Sequence, residues 1–167
     1  MPCLRERGLL CLTALLCALP WTAQVRAAEQ REMLSEHETV AEFQGLKDRK
    51  CMGKTSLCPD RCGHSGQLAE FKIVKYLAYK KPGQYGDPRQ DRYMFLVQNN
   101  LGKKFVTEEQ EGVLKALKVG DLVLFSYRHD YVTRDGSKFP ERVVTKLQKI
   151  SAEEAAKLPE AKAHGKD

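Results

Sequence analysis

Cys51, Cys58, Cys62 and His64 fall in one short segment, Cys-Met-Gly-Lys-Thr-Ser-Leu-Cys-Pro-Asp-Arg-Cys-Gly-His, which gathers three of the chain's six cysteines and one of its four histidines. Three sulfur donors and an imidazole suit tetrahedral zinc or the softer Cu(I). Two of the thiols can instead oxidise to a disulfide and leave one spare, or act as a redox pair. Local chemistry favours their convergence. Pro59 suits the first position of a helical turn, which would make Cys58 the N-cap residue, its sulfur near unpaired N–H groups that lower a thiol pKa. Cys62 would follow one turn later. Gly63 is free to take the left-handed conformation that ends such a turn and swings His64 toward the sulfurs, with Cys51 reaching back from before the loop.

The remaining cysteines, Cys3, Cys11 and Cys17, lie in what reads as a secretory signal peptide over residues 1–27. Arg5 and Arg7 form the basic start, residues 8–19 are apolar, and Val25-Arg26-Ala27 is a small-residue cleavage site that would leave Ala28 first. The apolar run is shorter than the roughly 20 residues a spanning helix needs, so no integral membrane segment is expected after signal removal. An exported chain, periplasmic or secreted, is permissive for disulfides. Loss of the leader lowers the formal net charge from +6 to +4, an excess too mild to indicate a nucleic-acid partner unless clustered.

The elements that must position the cluster come next. Residues 28–50 are charged and only weakly periodic, and read as a linker or a short surface helix. Residues 51–66 form the Cys/His segment. Residues 67–80 turn strand-like, residues 81–88 break in a loop with two prolines and two glycines, and residues 92–98 and 103–106 supply two further strands around an Asn-Asn-Leu-Gly turn. Thr107 and Gln110 have the form of a capping box opening a helix with Val113, Leu114 and Leu117 on one face. Strands over 122–132 and 142–150 follow, separated by Asp135-Gly136, a strong reversal signal. Residues 151–167 read as a short capped helix and a mobile tail.

Strand, strand, strand, helix, strand, strand is an order that resembles the OB-fold, a five-stranded β-barrel with a helix between its third and fourth strands, over roughly residues 67–150. The resemblance implies ligand binding on the face of strands two and three and by the loops that join strands one to two and four to five. On this reading those loops carry Tyr85, Arg89 and Arg92, and Tyr131, Arg134 and Lys138. Rings interleaved with cations suit an oligosaccharide or a single-stranded nucleic acid, and export disfavours the latter. Tyrosines in strands and exposed basic side chains also occur for reasons of folding and solvation alone.

Cys58-Pro59-Asp60-Arg61-Cys62 is similar to the Cys-x-x-x-Cys motif of the Sco copper chaperones, which implies copper-binding roles for Cys58 and Cys62. No phosphate loop, serine elbow or His-Glu-x-x-His motif occurs, and His129 and Asp130, adjacent on a strand, should face opposite ways. The sequence thus points to an exported, mostly β, non-enzymatic binding or accessory module with a Cys3His cluster. A thiol-disulfide or copper-handling protein, and an oligosaccharide or single-strand nucleic-acid binder working through the basic loops, are the alternatives, and a protein partner is open as well as an oligosaccharide.

Overall fold

The computed structural model describes residues 29–53 and 55–161; the expected leader at 1–27 and the end of the tail, 162–167, lie outside them. The fold is mostly β: β1 (Gln30–Arg49), β2 (Gly66–Lys80), β3 (Arg92–Asn99), α1 (Glu108–Ala116), β4 (Leu122–Arg134), β5 (Ser137–Ile150) and α2 (Ala152–Lys157). The strands form a single antiparallel sheet in the order β3-β2-β1-β4-β5, curled into a half-barrel.

The segment read as a linker or surface helix is instead the central strand, β1, paired with β2 on one side and β4 on the other. Its inward row explains why. Ser35, His37, Thr39, Ala41 and Phe43 alternate, and all five are buried, but four of them are polar or small, so the period-two pattern is invisible as hydrophobicity. Their polar groups find partners inside the sheet. Thr39 donates to the Phe125 carbonyl at 2.8 Å, Ser35 Oγ accepts from the Asp87 N–H at 3.1 Å, and His37 Nε2 lies 3.0 Å from Ser35 Oγ. Three shifts of register against β2 bend the strand and help curl the sheet.

The concave face carries the main core. Phe71 stacks on Phe125 at 4.8 Å and Tyr93 on Tyr127 at 3.8 Å, with Leu114 and Leu117 from the α1 segment packed against them. The expected Thr107–Gln110 capping box opens α1, and Gln110 Nε2 donates to the Val144 carbonyl at 2.9 Å, fastening the helix to β5. The outer face buries a smaller cluster of Val40, Ile150 and Ala155 under α2. Lys75 closes this arrangement by donating to the carbonyls of Ala155 and Leu158, the end of α2 where cations are favoured.

Two further expectations are corrected. Residues 103–106 make no strand, only a bridge between Gln98 and Lys104, because the Asn99 side chain accepts from the N–H groups of Leu101 and Lys103 and turns the chain tightly. Past α2, the Ala161 N–H donates to the Tyr76 carbonyl at 2.7 Å. With β1 in place, the loop of residues 81–91 joins the second and third strands rather than the first and second. The first-to-second connection is the Cys/His segment itself.

His37 is fully buried and stacks on Tyr127 at 4.2 Å. Burial holds its pKa down to about 4, with the nearby charges of His129 and Arg89 adding to the effect and Asp87 opposing it. Below the ordinary value near 6.5, an unfolded chain takes up a proton that the folded one refuses, so stability is full above that value and falls as pH drops toward 4. The expected loss is about 3 kcal/mol. Urea unfolding across this window should show that slope in the native chain and its disappearance in His37→Phe, which keeps the stacked ring.

Candidate metal centre

The loop between β1 and β2 brings Cys51, Cys58, Cys62 and His64 together. One ligand atom from each lies within 4.8 Å of all the others. The sulfurs of Cys51 and Cys58 are 3.1 Å apart, and all three of these cysteines are free thiols. A tetrahedral zinc with sulfur ligands at about 2.3 Å needs sulfur–sulfur edges of roughly 3.8 Å, a value inside the observed range. The chemistry of the donors fits as well. Nδ1 of His64 is buried with no hydrogen-bond partner among the described residues, an arrangement that is costly unless something else satisfies the nitrogen.

Turns, not a helix, produce the convergence. The N-cap role expected of Cys58 is not realised: the Cys58–Pro59 peptide is cis, and residues 56–61 form successive turns, with Cys58 N–H donating to the Thr55 carbonyl and Arg61 N–H to that of Leu57. Gly63 does adopt the left-handed backbone, φ +69°, that carries His64 back toward the sulfurs. Hydrogen bonds then aim at the sulfurs. The Thr55 N–H lies 3.3 Å and its hydroxyl 3.5 Å from Cys58 Sγ, and the His64 N–H lies 3.4 Å from Cys62 Sγ. Such donors favour thiolates, the form that binds metal. The Thr55 hydroxyl, aided by the Cys51 thiol and the Thr55 N–H, pulls the Cys58 pKa down to about 5 against desolvation, whereas desolvation pushes Cys62 up.

Residues that the sequence did not tie to the cysteines hold the loop. Ser65 Oγ accepts from the Cys51 N–H at 3.0 Å and donates to the Pro59 carbonyl at 2.7 Å, tying both ends to the middle. From the turn after β3, Asn100 Nδ2 donates to the carbonyls of Pro59 and Asp60, and Asn99 Nδ2 to that of Gly63. Gly66 permits the close approach behind this clamp, since a Cβ there would run into the Gln98 carbonyl oxygen. The Asn-Asn pair was legible as a turn, but its grip on the cysteine loop depends on β3 lying beside β2.

The other candidate residues separate. Arg89 stacks over Tyr76 and Tyr79 at 5.1 and 5.2 Å. Arg92 lies 3.3 Å from Glu70, Arg134 pairs with Glu29 and covers Phe139, and Lys138 is exposed on β5. Tyr85 and Tyr131 meet on one groove at the far end of β1. His129 and Asp130 do face apart: His129 Nδ1 approaches Asp87 at 3.2 Å, and Asp130 takes Arg128 and Arg31.

No family model, curated protein or solved structure matches the chain. Asn100→Ala should leave the half-barrel intact, cost about 1 kcal/mol and speed tryptic cleavage at Arg61. Cleavage there at the native rate would show that the clamp does not hold the loop.

Proposed function

We propose that the mature chain is an exported, non-catalytic binding module whose β1–β2 loop is fixed by a zinc ion held by Cys51, Cys58, Cys62 and His64. The gathering of all four donor atoms within 4.8 Å, on a loop tied at its ends and middle, carries the proposal. Four protein ligands fill a tetrahedral zinc and leave no open position, which is the pattern of structural rather than catalytic sites. The apparent leader at residues 1–27 supports export. The strand order and partly open barrel support an OB-type ligand-binding architecture. Cu(I) is the alternative metal, since the donors are mostly soft.

A second reading rests on one distance. The 3.1 Å approach of Cys51 to Cys58 suits oxidation to a disulfide with Cys62 left free, as either a structural bond or a redox pair in an export compartment.

Metal analysis and thiol counting of the chain secreted from its own host separate these readings. Expected is a mature N-terminus at Ala28, one zinc per chain and three thiols that become reactive only after chelation. Cobalt substitution should give the thiolate charge-transfer and visible bands of a tetrahedral site. Cys62→Ser and His64→Ala should each weaken metal binding by more than about 100-fold, exceeding the usual outer-shell effect. Metal-free protein that is lighter by two hydrogens and has one reactive thiol would replace the zinc reading with the disulfide.

A further inference from the structure

A second site lies at the opposite end of β1 from the cysteines and needs nothing from them. Paired strands place Glu32 of β1, Tyr131 of β4 and Pro140 of β5 side by side, Glu32 opposite Tyr131 and Tyr131 opposite Pro140. With Leu34, Tyr85 and His129 they line a groove of about 480 Å³. Tyr85 comes from the β2–β3 loop, which packs against β1 so closely that a Cβ on Gly86 would strike the Leu34 carbonyl oxygen. The loop is fixed there by the Asp87 N–H to Ser35 Oγ and by a two-bond clamp of the Asp87 carboxylate on Arg142, both bonds 2.7 Å.

Charge separates the candidate ligands. The arginines near this rim are already engaged: Arg31 and Arg134 with Glu29, Arg128 with Asp130, Arg142 with Asp87. Lys81 and Lys138 stand nearby without lining the groove, whereas Glu32 lines it and has no ion-pair partner among the described residues, so the acidic or basic chain that faces the groove beside His129 is a carboxylate. Around it stand two tyrosine rings that the fold leaves open to solvent, Tyr85 at 75% and Tyr131 at 38% exposure. His129, which forms part of the wall, is only 5% exposed, and neither ring nitrogen has a hydrogen bond. Its Nδ1 lies 3.2 Å from Asp87 without hydrogen-bond alignment.

We propose that this groove binds an organic cation, an ammonium group on an apolar stem, with Glu32 as counter-ion, Tyr85 and Tyr131 as π faces, and Leu34 and Pro140 against the stem. A carboxylate beside aromatic faces favours a desolvated cation electrostatically. Anions are repelled by Glu32. A neutral ligand of the same shape uses the apolar walls but gains nothing from the carboxylate. The ammonium is carried either by a free amine or by a lysyl side chain of a peptide.

The test is an amide chemical-shift titration of the full mature chain with hexylammonium, with acetyl-Gly-Lys-Gly-amide, and with hexanol and hexanoate as isosteres. Expected are shifts at residues 32, 85, 129 and 131 with the ammonium probes, weakened by salt, and much smaller shifts with the isosteres. Stronger binding of hexylammonium assigns a free amine, and stronger binding of the peptide assigns a lysyl side chain. Glu32→Gln and Tyr131→Ala should each weaken binding about three- to tenfold, while Glu38→Gln, an exposed control on the same strand, should not. Equal response to hexanol, no loss in Glu32→Gln, or shifts only elsewhere would overturn the proposal. So would shifts at these residues from methyl glucoside with the ammonium probes silent.

Discussion

Everything in this fold depends on β1 being paired along both edges. A strand in that position must satisfy its backbone on two sides and pack on two faces, and this one does so with an inward row of Ser35, His37, Thr39, Ala41 and Phe43. Small and polar side chains there leave room for the rings of Phe71, Phe125 and Tyr127, which supply the apolar area that β1 lacks. The polar atoms cost little because Thr39 bonds to β4, Ser35 to the β2–β3 loop and His37 Nε2 to Ser35, whereas an unpartnered buried donor or acceptor would cost about 1–3 kcal/mol. Nδ1 of His37 is a visible exception, and the stacked ring stays neutral by burial instead.

Both candidate sites are consequences of that strand. Its C-terminal end delivers Cys51 to the loop that returns as β2, so the loop closes on itself and is clamped from β3 by Asn99 and Asn100. Its N-terminal end carries Glu32 and Leu34 to the rim, where β4 and the β2–β3 loop bring tyrosines from either side. The two sites differ in how they are built. Donors at the cysteine loop are close in sequence and need only turns to meet. The groove joins residues from β1, β4, β5 and a loop that are far apart in the chain, and they meet only once the sheet has formed.

Much of the half-barrel was legible. The strands expected at 67–80, 92–98 and 122–132 appear within two residues of their limits and that at 142–150 starts five residues early, because β-branched and aromatic residues are frequent in them. Both capping boxes are present, since Thr107 with Gln110 and Ser151 with Glu154 act through local hydrogen bonds alone. The Asp135-Gly136 reversal is also local, with positive φ at both residues. β1 was not legible, because its buried positions are chemically those of a surface segment. The expected third strand at 103–106 failed because Asn99 supplied a competing turn.

By itself, the sequence determined the mostly β class, the helix caps and the four donors of the cysteine loop, all of which rest on interactions between near neighbours. Only the tertiary structure decided that residues 30–49 are the central strand, that Asn99 and Asn100 grip the cysteine loop, and that Tyr85, Tyr131 and Glu32 share a groove while Arg89, Arg92 and Arg134 turn to partners within the fold. The reason is physical. Whether a serine or histidine is buried, and whether an arginine is free, depends on which strand lies beside it, and that is settled by pairing across the sheet rather than by the residue or its neighbours in the chain.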